Sequence, residues 1–260
     1  MTIGFTHTNR MILEFIMPAR IKAFLMHLAV SAAIALLAIL LVFHIWYPAP
    51  LHEALGVTHI FLVLLLVDVT LGPLLTLLVF KPGKKTLIMD LAVIACLQLA
   101  ALAYGLWTVA EGRPAWIVYN ADRFDVVTVV DIDNRQLDEA FPRYRNAAWT
   151  GPQWVGAVKP DDPEQRSNIF FEAVQGGSDI AQRPNLYRPL TEMTEAIRQR
   201  AQPLEKLNDF NDAAAVRDAL QSWPSAAAWV PLMARAKPMV VLLGENKSEV
   251  IAIVELAPWK

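Results

Sequence analysis

The side chains that most often do chemistry in proteins are unevenly placed along this sequence. All five histidines lie before residue 60 and the single cysteine is Cys96, so residues 111–260 contain neither imidazole nor thiol. This distribution excludes from that half the usual zinc sites and every nucleophile that a histidine activates. The chain also lacks a phosphate-binding loop, a dinucleotide fingerprint and an HExxH motif. We therefore expect no catalytic residue, no cofactor and no metal site, and we expect a protein that is not an enzyme.

Four carboxylates in the second half are the remaining candidates for acid–base chemistry: Asp122, Asp125, Asp131 and Asp133. A pair of acids on opposite sides of a bond is the arrangement by which glycosidases act. These four fall within a predicted strand pair and at its end, where carboxylates more often point into water. We favour a solvated face over a paired-acid site.

The elements that carry these side chains form two unlike halves. Charged residues make up only 18% of the chain and the mean hydropathy is +0.36, whereas typical soluble domains are about 25% charged. No Lys or Arg occurs from 23 to 80, but residues 111–260 hold 17 basic and 21 acidic residues. The first half suits lipid and the second suits water. The formal net charge of -2 gives no polyanion-binding signature, so nucleic acid is not an expected partner.

Three apolar segments are long enough to cross a bilayer as helices, which takes about 20 residues. They cover 23–47, 55–80 and 86–109 and contain no charged residues except Asp68 and Asp90. The first segment exceeds the roughly 7–15 apolar residues of a signal peptide. We interpret it as an uncleaved anchor that ends in an interfacial aromatic belt, Trp46 and Tyr47.

The basic residues predict the orientation of these spans, because Lys and Arg favour cytoplasmic loops. Three precede the first span, none lies in the loop 48–54, and three follow the second span: Arg10, Arg20, Lys22, Lys81, Lys84 and Lys85. The N-terminus is then cytoplasmic, and everything after the third span is periplasmic in a bacterial inner membrane. Residues 1–16 fit neither lipid nor a fold, so Met17 is an alternative start.

The predicted domains are a cytoplasmic arm at 1–22, a three-helix transmembrane domain at 23–110 and a periplasmic α+β domain at 111–260. The predicted fold class is thus a membrane protein with three transmembrane α-helices followed by a C-terminal α+β extracytoplasmic domain. Alternating β-prone and helical patterns define the elements of the last domain. We predict strands at 115–119, 124–132, 153–158, 239–243 and 250–256, and helices at 133–141, 163–175, 191–200 and 212–221.

Two features inside the second span are candidate contacts with a partner. Asp68 lies 12 residues before Phe80, roughly 18 Å along a helix, where an acid costs on the order of 2.5–3.5 kcal/mol. It either meets a polar group of a client membrane helix or forms an internal hydrogen bond, for instance to Gln98 or a histidine. Gly72 and Pro73 predict a kink or a close helix approach.

Motifs in order along nearly the whole chain from Arg20 resemble one family. They are RIKAFLMHL (20–28), WYP (46–48), VDVTLGPLLTLLVF (67–80), PGKK (82–85), DLAVIACLQLAALAYGLWT (90–108), DRFDVV (122–127), TGP (150–152), GGSDIAQRPNLYRPL (176–190) and a final PW (258–259). In these stretches the sequence resembles the TfpX/TfpZ family of type IV pilin accessory proteins. Residues 1–16 lie outside the pattern.

The resemblance implies a chaperone-like, non-enzymatic inner-membrane protein whose partners are type IV pilin and the lipid bilayer. Three helices would cradle the hydrophobic stem of the pilin, and the outer domain would lie beside its globular head. One alternative is a pilin-modifying membrane enzyme, such as one associated with glycosyl transfer. Another is a sensor, although the short second loop provides no cytoplasmic output domain. A rigid loop with Arg183, Pro184, Tyr187 and Arg188 is a candidate contact, since proline limits backbone freedom and arginine supplies planar donors. A structural connection between helices is the competing explanation for this loop.

Overall fold

The computed structural model describes residues 18–260, whose contacts divide into two compact units. The first unit comprises 18–41 and 59–108, and the second comprises 42–58 and 109–260. The segment 42–58, which the sequence analysis placed in the transmembrane domain, thus groups with the C-terminal residues. The predictions about residues 1–16 and a start at Met17 lie outside the described residues.

Three long helices carry the apolar segments. Helix α1 (Ala19–Leu40) continues into a π-helical segment (Leu41–Trp46), and the short helix α2 (Leu51–Ala54) separates it from α3 (Val57–Val79) and α4 (Leu87–Glu111). Helix α1 with its extension, α3 and α4 are each long and apolar enough to cross a membrane. The fold class of a three-span membrane protein with a C-terminal α+β domain is confirmed.

Small residues allow the membrane helices to pack closely. In lipid the hydrophobic effect does not drive helices together, so their association depends on such close packing. The buried residues of α1 are Ser31, Ala35 and Ala38. On α4, a Cβ placed on Gly105 would lie 2.2 Å from Cδ1 of Leu64 on α3. Gly105 therefore serves contact between helices of this chain.

The second unit is built on an eight-stranded mixed sheet, and its residues 109–260 add three α-helices to α2. The strands follow the order β4-β3-β1-β2-β6-β7-β8, with β5 paired to β6, and the β1–β3 and β2–β6 pairs are parallel. The strands are β1 (Pro114–Asn120), β2 (Arg123–Thr128), β3 (Gln153–Ala157), β4 (Tyr187–Pro189), β5 (Gln202–Pro203), β6 (Ala228–Met233), β7 (Met239–Leu243) and β8 (Val250–Val254). The helices are α5 (Pro163–Val174), α6 (Thr194–Arg200) and α7 (Ala213–Gln221).

Strand β1 is the centre of this unit, because every one of its residues is buried. Alternate side chains of a strand point to opposite faces. Ile117 and Tyr119 accordingly join one hydrophobic cluster, and Trp116 and Val118 join another. The sheet therefore has a core on both faces and needs cover on both sides.

The loop between α1 and α3 supplies part of that cover. Leu51 and Ala54 are almost fully buried in the cluster that contains Ile117. The main-chain N–H groups of Ala236 and Lys237 both donate to the carbonyl of Ala54, at 3.0 and 3.1 Å. The loop between the first two spans therefore packs into the same folded unit as the residues that follow the third span.

Several predicted elements differ from the structure. The helix predicted at 133–141 is wrong: this region contains a 3₁₀ turn at Leu137–Glu139 instead, and a second turn follows at Pro142–Tyr144. The strand predicted at 124–132 ends at Thr128, where Thr128 and Asp131 form a capping box that begins a 3₁₀ turn. Strand β6 was not predicted, since Pro231 within it weakened the strand pattern.

The aromatic belt predicted at Trp46 and Tyr47 is also wrong. Both side chains are buried in the second unit, at 8% and 2% exposure. The Tyr47 hydroxyl donates to the carbonyl of Val109 at 2.7 Å, and the ring of Trp46 lies 6.2 Å from that of Trp149. Tyr47 cannot ionise readily in this place, because burial raises the pKa of its hydroxyl.

Candidate functional site

Polar side chains recur at four-residue spacing on two of the membrane helices. Helix α1 carries His27 and Ser31, and α3 carries Asp68 and Thr76 with Gly72 midway between them. Helix positions four apart lie on one face. The two helices therefore each present a short polar stripe in an otherwise apolar surface.

Gln98 of α4 joins the two stripes. Its amide nitrogen donates to the hydroxyl of Ser31 at 2.9 Å and to the main-chain carbonyl of Asp68 at 3.0 Å. Its amide oxygen lies 3.0 Å from Nε2 of His27, and Nδ1 of His27 lies 2.7 Å from the hydroxyl of Thr76. One side chain from α4 thus links all three helices by hydrogen bonds.

The donors and acceptors of this cluster match. An amide oxygen only accepts, so Nε2 of His27 carries the proton that reaches Gln98, and Nδ1 can accept from the hydroxyl of Thr76. Both amide protons of Gln98 are used. Interhelical hydrogen bonds in membranes contribute on average only about 0.6 kcal/mol each. Because each bond needs its donor and acceptor to face one another, the network specifies which faces of the three helices are in contact.

Gly72 is the residue that lets Gln98 reach α3. A Cβ at this position would lie 1.8 Å from the amide oxygen and 2.5 Å from Cδ of Gln98, so any side chain would collide with the amide. The close helix approach predicted at Gly72 is confirmed. The adjacent Pro73 is buried within α3, which continues to Val79.

An apolar groove runs along α3 and α4 beside this cluster. Its volume is about 400 Å³, and its lining is apolar except for Asp68 and Gln98. Leu71, Leu75 and Leu97 line it and expose 54%, 42% and 67% of their surface. The groove is therefore an apolar surface that contains one carboxyl group, that of Asp68.

The structure places Asp68 between the two predicted roles. Gln98 bonds to residue 68, as the internal explanation required, both at the main-chain carbonyl and at the side-chain carboxyl group. Among residues 18–260, no Lys or Arg forms an ion pair with its carboxylate, although nine other ion pairs of Lys or Arg occur there. Asp68 therefore has a hydrogen-bond partner within the bundle, and it also lines the groove.

Asp90 has a local partner instead. Its carboxylate lies 2.6 Å from Nζ of Lys84 in the loop before α4, and the hydroxyl of Thr86 donates to it at 3.1 Å. Asp90 thus stabilises the N-terminal end of α4 and does not belong to the polar cluster.

In the second unit, Arg183 is an internal cation. Its side chain is 8% exposed, and Nη2 lies 2.7 Å from Glu172, with a further bond to the carbonyl of Ser178 at 3.0 Å. Nη1 lies 3.6 Å from the carboxylate of Asp133, whose side chain is 5% exposed. Hydrogen bonds from Arg135, with the charge of Arg183, lower the pKa of Asp133 to about 2. Arg183 therefore ties α5 to the loop that follows β2.

Tyr187 and Pro184 are also internal. Tyr187 is fully buried, and its hydroxyl donates to the carbonyl of Ala181 at 2.6 Å. Its ring packs edge to face against Trp116 and Tyr144, and burial raises the pKa of its hydroxyl. Pro184 is buried at the start of a 3₁₀ turn. These positions favour the structural connection over the contact loop for Arg183, Pro184 and Tyr187.

Arg188 differs from those three because it is half-exposed. Its guanidinium lies 5.2 Å from the ring centroid of Phe141, which is 49% exposed, and it donates to the carbonyl of Tyr187 at 2.8 Å. Among the four loop residues predicted as contacts, Arg188 is the one whose side chain reaches the surface.

The four acids of the strand pair do not form a shared site. Three of them pair with separate arginines: Asp125 with Arg123 at 3.0 Å, Asp131 with Arg235 at 2.7 Å and Asp133 with Arg135 at 2.9 Å. The predicted solvated face applies only to Asp122, which is exposed in the β1–β2 turn. Burial raises the pKa of Asp125 in spite of its arginine. Of these three pairs, Asp131–Arg235 connects distant segments of the domain, and the other two are local.

Sequence reasoning missed two members of the membrane cluster, Ser31 and Thr76. Their signal is present in the sequence, since each stands four residues from another member, His27 or Gly72, in a span almost free of polar residues. Hydroxyl residues are common in membrane helices and often bond their own backbone. The spacing gains meaning only when Gln98 is placed between the two stripes.

Three apolar spans, a polar cluster buried between them and a separate α+β unit define a multispan membrane protein with a folded extramembrane domain. The profile of the family described as fimbrial assembly protein FimB matches residues 16–56. The serogroup I fimbrial assembly protein of Dichelobacter nodosus is 31% identical over 250 residues, which are 92% of this chain and 96% of the relative. The chain therefore belongs to the fimbrial assembly protein family.

Two further relatives from the same organism agree. The serogroup E1 fimbrial assembly protein has the same identity and coverage, and the protein of serogroups C1 and C2 is 32% identical over 129 residues, 49% of this chain and 97% of the relative. No solved structure matches the chain. The predicted resemblance is confirmed at the level of fimbrial assembly, and the TfpX/TfpZ assignment stays a prediction.

Proposed function

We propose that this protein assists type IV pilus assembly at the bacterial inner membrane as a chaperone-like, non-enzymatic partner of the pilin, in the manner of TfpX/TfpZ accessory proteins. One observation carries the proposal: relatives named as fimbrial assembly proteins match the chain over almost its whole length. The match includes both the membrane helices and the extramembrane domain, so the two parts are proposed to act together.

The arrangement of the chain suits a client with a hydrophobic stem and a globular head. Two of the three membrane helices border an open groove, and the second unit supplies a folded surface outside the bilayer. With the N-terminus in the cytoplasm, the loop between the first two spans and the residues that follow the third would face the periplasm, where the pilin head folds. Basic residues at Lys81, Lys84 and Lys85 support this orientation.

Deletion of the gene tests the function. Pilin level and surface piliation should fall, and the wild-type gene supplied in trans should restore both. Normal piliation with unaltered pilin would overturn the proposal. The intact mass of pilin from the deletion strain separates the rival activity, since a loss of mass from pilin would favour a pilin-modifying enzyme.

Reporter fusions test the orientation. Alkaline phosphatase, which is active only outside the cytoplasm, should be active when fused after Glu111 and inactive when fused after Lys85. The reverse pattern would place the second unit in the cytoplasm and would remove the periplasmic part of the proposal.

A further inference from the structure

We infer that the groove between α3 and α4 holds one transmembrane helix of a partner, and that this helix presents a hydrogen-bond donor or a cationic group to Asp68. The inference rests on the proposed function, which makes the hydrophobic stem of the pilin that helix. It adds the place where the stem lies and the chemistry by which the site would recognise it.

The lining of the groove argues for a helix in lipid. The groove of about 400 Å³ is apolar along its length, with Leu71, Leu75 and Leu97 on its walls. Apolar surfaces gain nothing from each other in a bilayer beyond close packing. An apolar groove alone would therefore select no particular occupant, and the selective element must be polar.

Asp68 is that polar element. The Gln98 amide that reaches its carboxylate already donates to the hydroxyl of Ser31 and to the main-chain carbonyl of Asp68, so the carboxylate can accept a further donor. The sequence provides no Lys or Arg from 23 to 80 or from 86 to 109 that could neutralise it. A carboxyl group at this depth is costly in lipid, and a donor from a neighbouring helix lowers that cost.

Charge complementarity favours a partner helix over two other possible occupants of the groove, a lipid acyl chain and a second copy of this chain. A lipid acyl chain fills apolar space but has no donor for a carboxylate. A second copy of this chain, docked groove to groove, would bring two Asp68 carboxylates together, and like charges repel strongly where water is scarce. A partner helix with a donor fits the groove and the carboxylate at once.

Site-specific photocrosslinking in intact membranes of the native strain tests the site with the full chain. A photoreactive amino acid at Leu71 or Leu75 should form an adduct that carries pilin, identified with an antibody to pilin. Leu66 and Leu78 provide matched controls, because they lie on the same helix, are 63% and 65% exposed and do not line the groove. These two positions should give lipid adducts and little or no pilin adduct.

Substitution of Asp68 tests the recognition. Asp68→Leu should lower the yield of pilin adduct from Leu71 by roughly 3- to 20-fold, the range expected from loss of one interhelical hydrogen bond. Asp68→Asn keeps the shape and the acceptor oxygen and should lower it less. Equal amounts of each variant in the membrane exclude misfolding as the cause.

Three results would overturn the inference: adducts with lipid alone from the groove positions, adducts with a second copy of this chain, or equal pilin adducts from groove and control positions. A pilin adduct that is unchanged in Asp68→Leu would overturn the role of the carboxyl group. Loss of pili in the deletion strain together with any of these results would leave the proposed function standing and would remove only the groove.

Discussion

A single methyl group at Gly72 should loosen the packing of the membrane helices. The Cβ of Gly72→Ala would lie 1.8 Å from the amide oxygen of Gln98, so the amide must leave its place and its bonds to His27, Ser31 and Asp68. Those bonds contribute about 0.6 kcal/mol each, and an extra methyl in a packed interior costs about 1–3 kcal/mol.

Helix propensity acts in the opposite direction, since alanine favours a helix over glycine by about 1 kcal/mol. Because the lost bonds and the collision together amount to about 3–5 kcal/mol, they outweigh propensity. The expected net loss in free energy of unfolding is about 2–4 kcal/mol. The purified full-length protein in mild detergent, unfolded by titration with SDS and followed by helical circular dichroism, gives this quantity.

A double-mutant cycle isolates the collision. In a Gln98→Ala background the amide is gone, so Gly72→Ala should change the free energy of unfolding by less than about 0.5 kcal/mol or should stabilise the helices. The reasoning is refuted if Gly72→Ala has the same cost in both backgrounds, or if it stabilises the wild-type protein.

Three further outcomes follow for the second unit. Arg183→Met should destabilise it by about 1–3 kcal/mol, because it removes the buried guanidinium that bonds Glu172 and the carbonyl of Ser178 and leaves both carboxylates to Arg135 alone, whereas Arg188→Met at the surface should cost less than about 1 kcal/mol. Chemical denaturation of the full-length variants compares the two. Hydrogen bonds from Arg135 hold the pKa of Asp133 in the folded protein at about 2, below its ordinary 3.8. The ionised Asp133 therefore contributes its full share of the folding stability above about pH 4, and this share disappears as the pH falls towards 2. Wild type should therefore lose about 1 kcal/mol more stability than Asp133→Asn across that interval, and equal losses in pH-dependent unfolding curves would contradict this. Leu51→Ala should cost about 2–5 kcal/mol by opening a cavity, and an unchanged denaturation midpoint would show that the loop is not part of the core.

The membrane spans could be predicted from the sequence because their signal is local. A run of 20 or more apolar residues is sufficient to identify a spanning helix, and each helix end lies within four residues of its predicted place. The polar cluster could not be predicted in the same way. Which faces meet depends on the tilt and rotation of each helix, which packing sets and hydropathy does not.

The extramembrane unit was harder to predict because its decisive contacts are distant in the chain. Arg183 looked like a surface residue in a proline-rich loop, but its partners Glu172 and Asp133 lie on other elements. Strand β6 was missed because Pro231 interrupts its pattern, although main-chain pairing with β7 continues through that residue. Hairpin and capping signals were reliable, as the helix start at Asp162 and strand β7 show.

The burial of Leu51 and Ala54 has a consequence for biogenesis. The hydrophobic interior of the second unit is encoded in two pieces, one made before α3 and α4 and the other after them. The core cannot form until α3 and α4 have inserted into the bilayer in the correct orientation. In a chain that inserts incorrectly, the two segments would lie in different compartments. The domain would then remain incompletely folded and would be a substrate for membrane proteases.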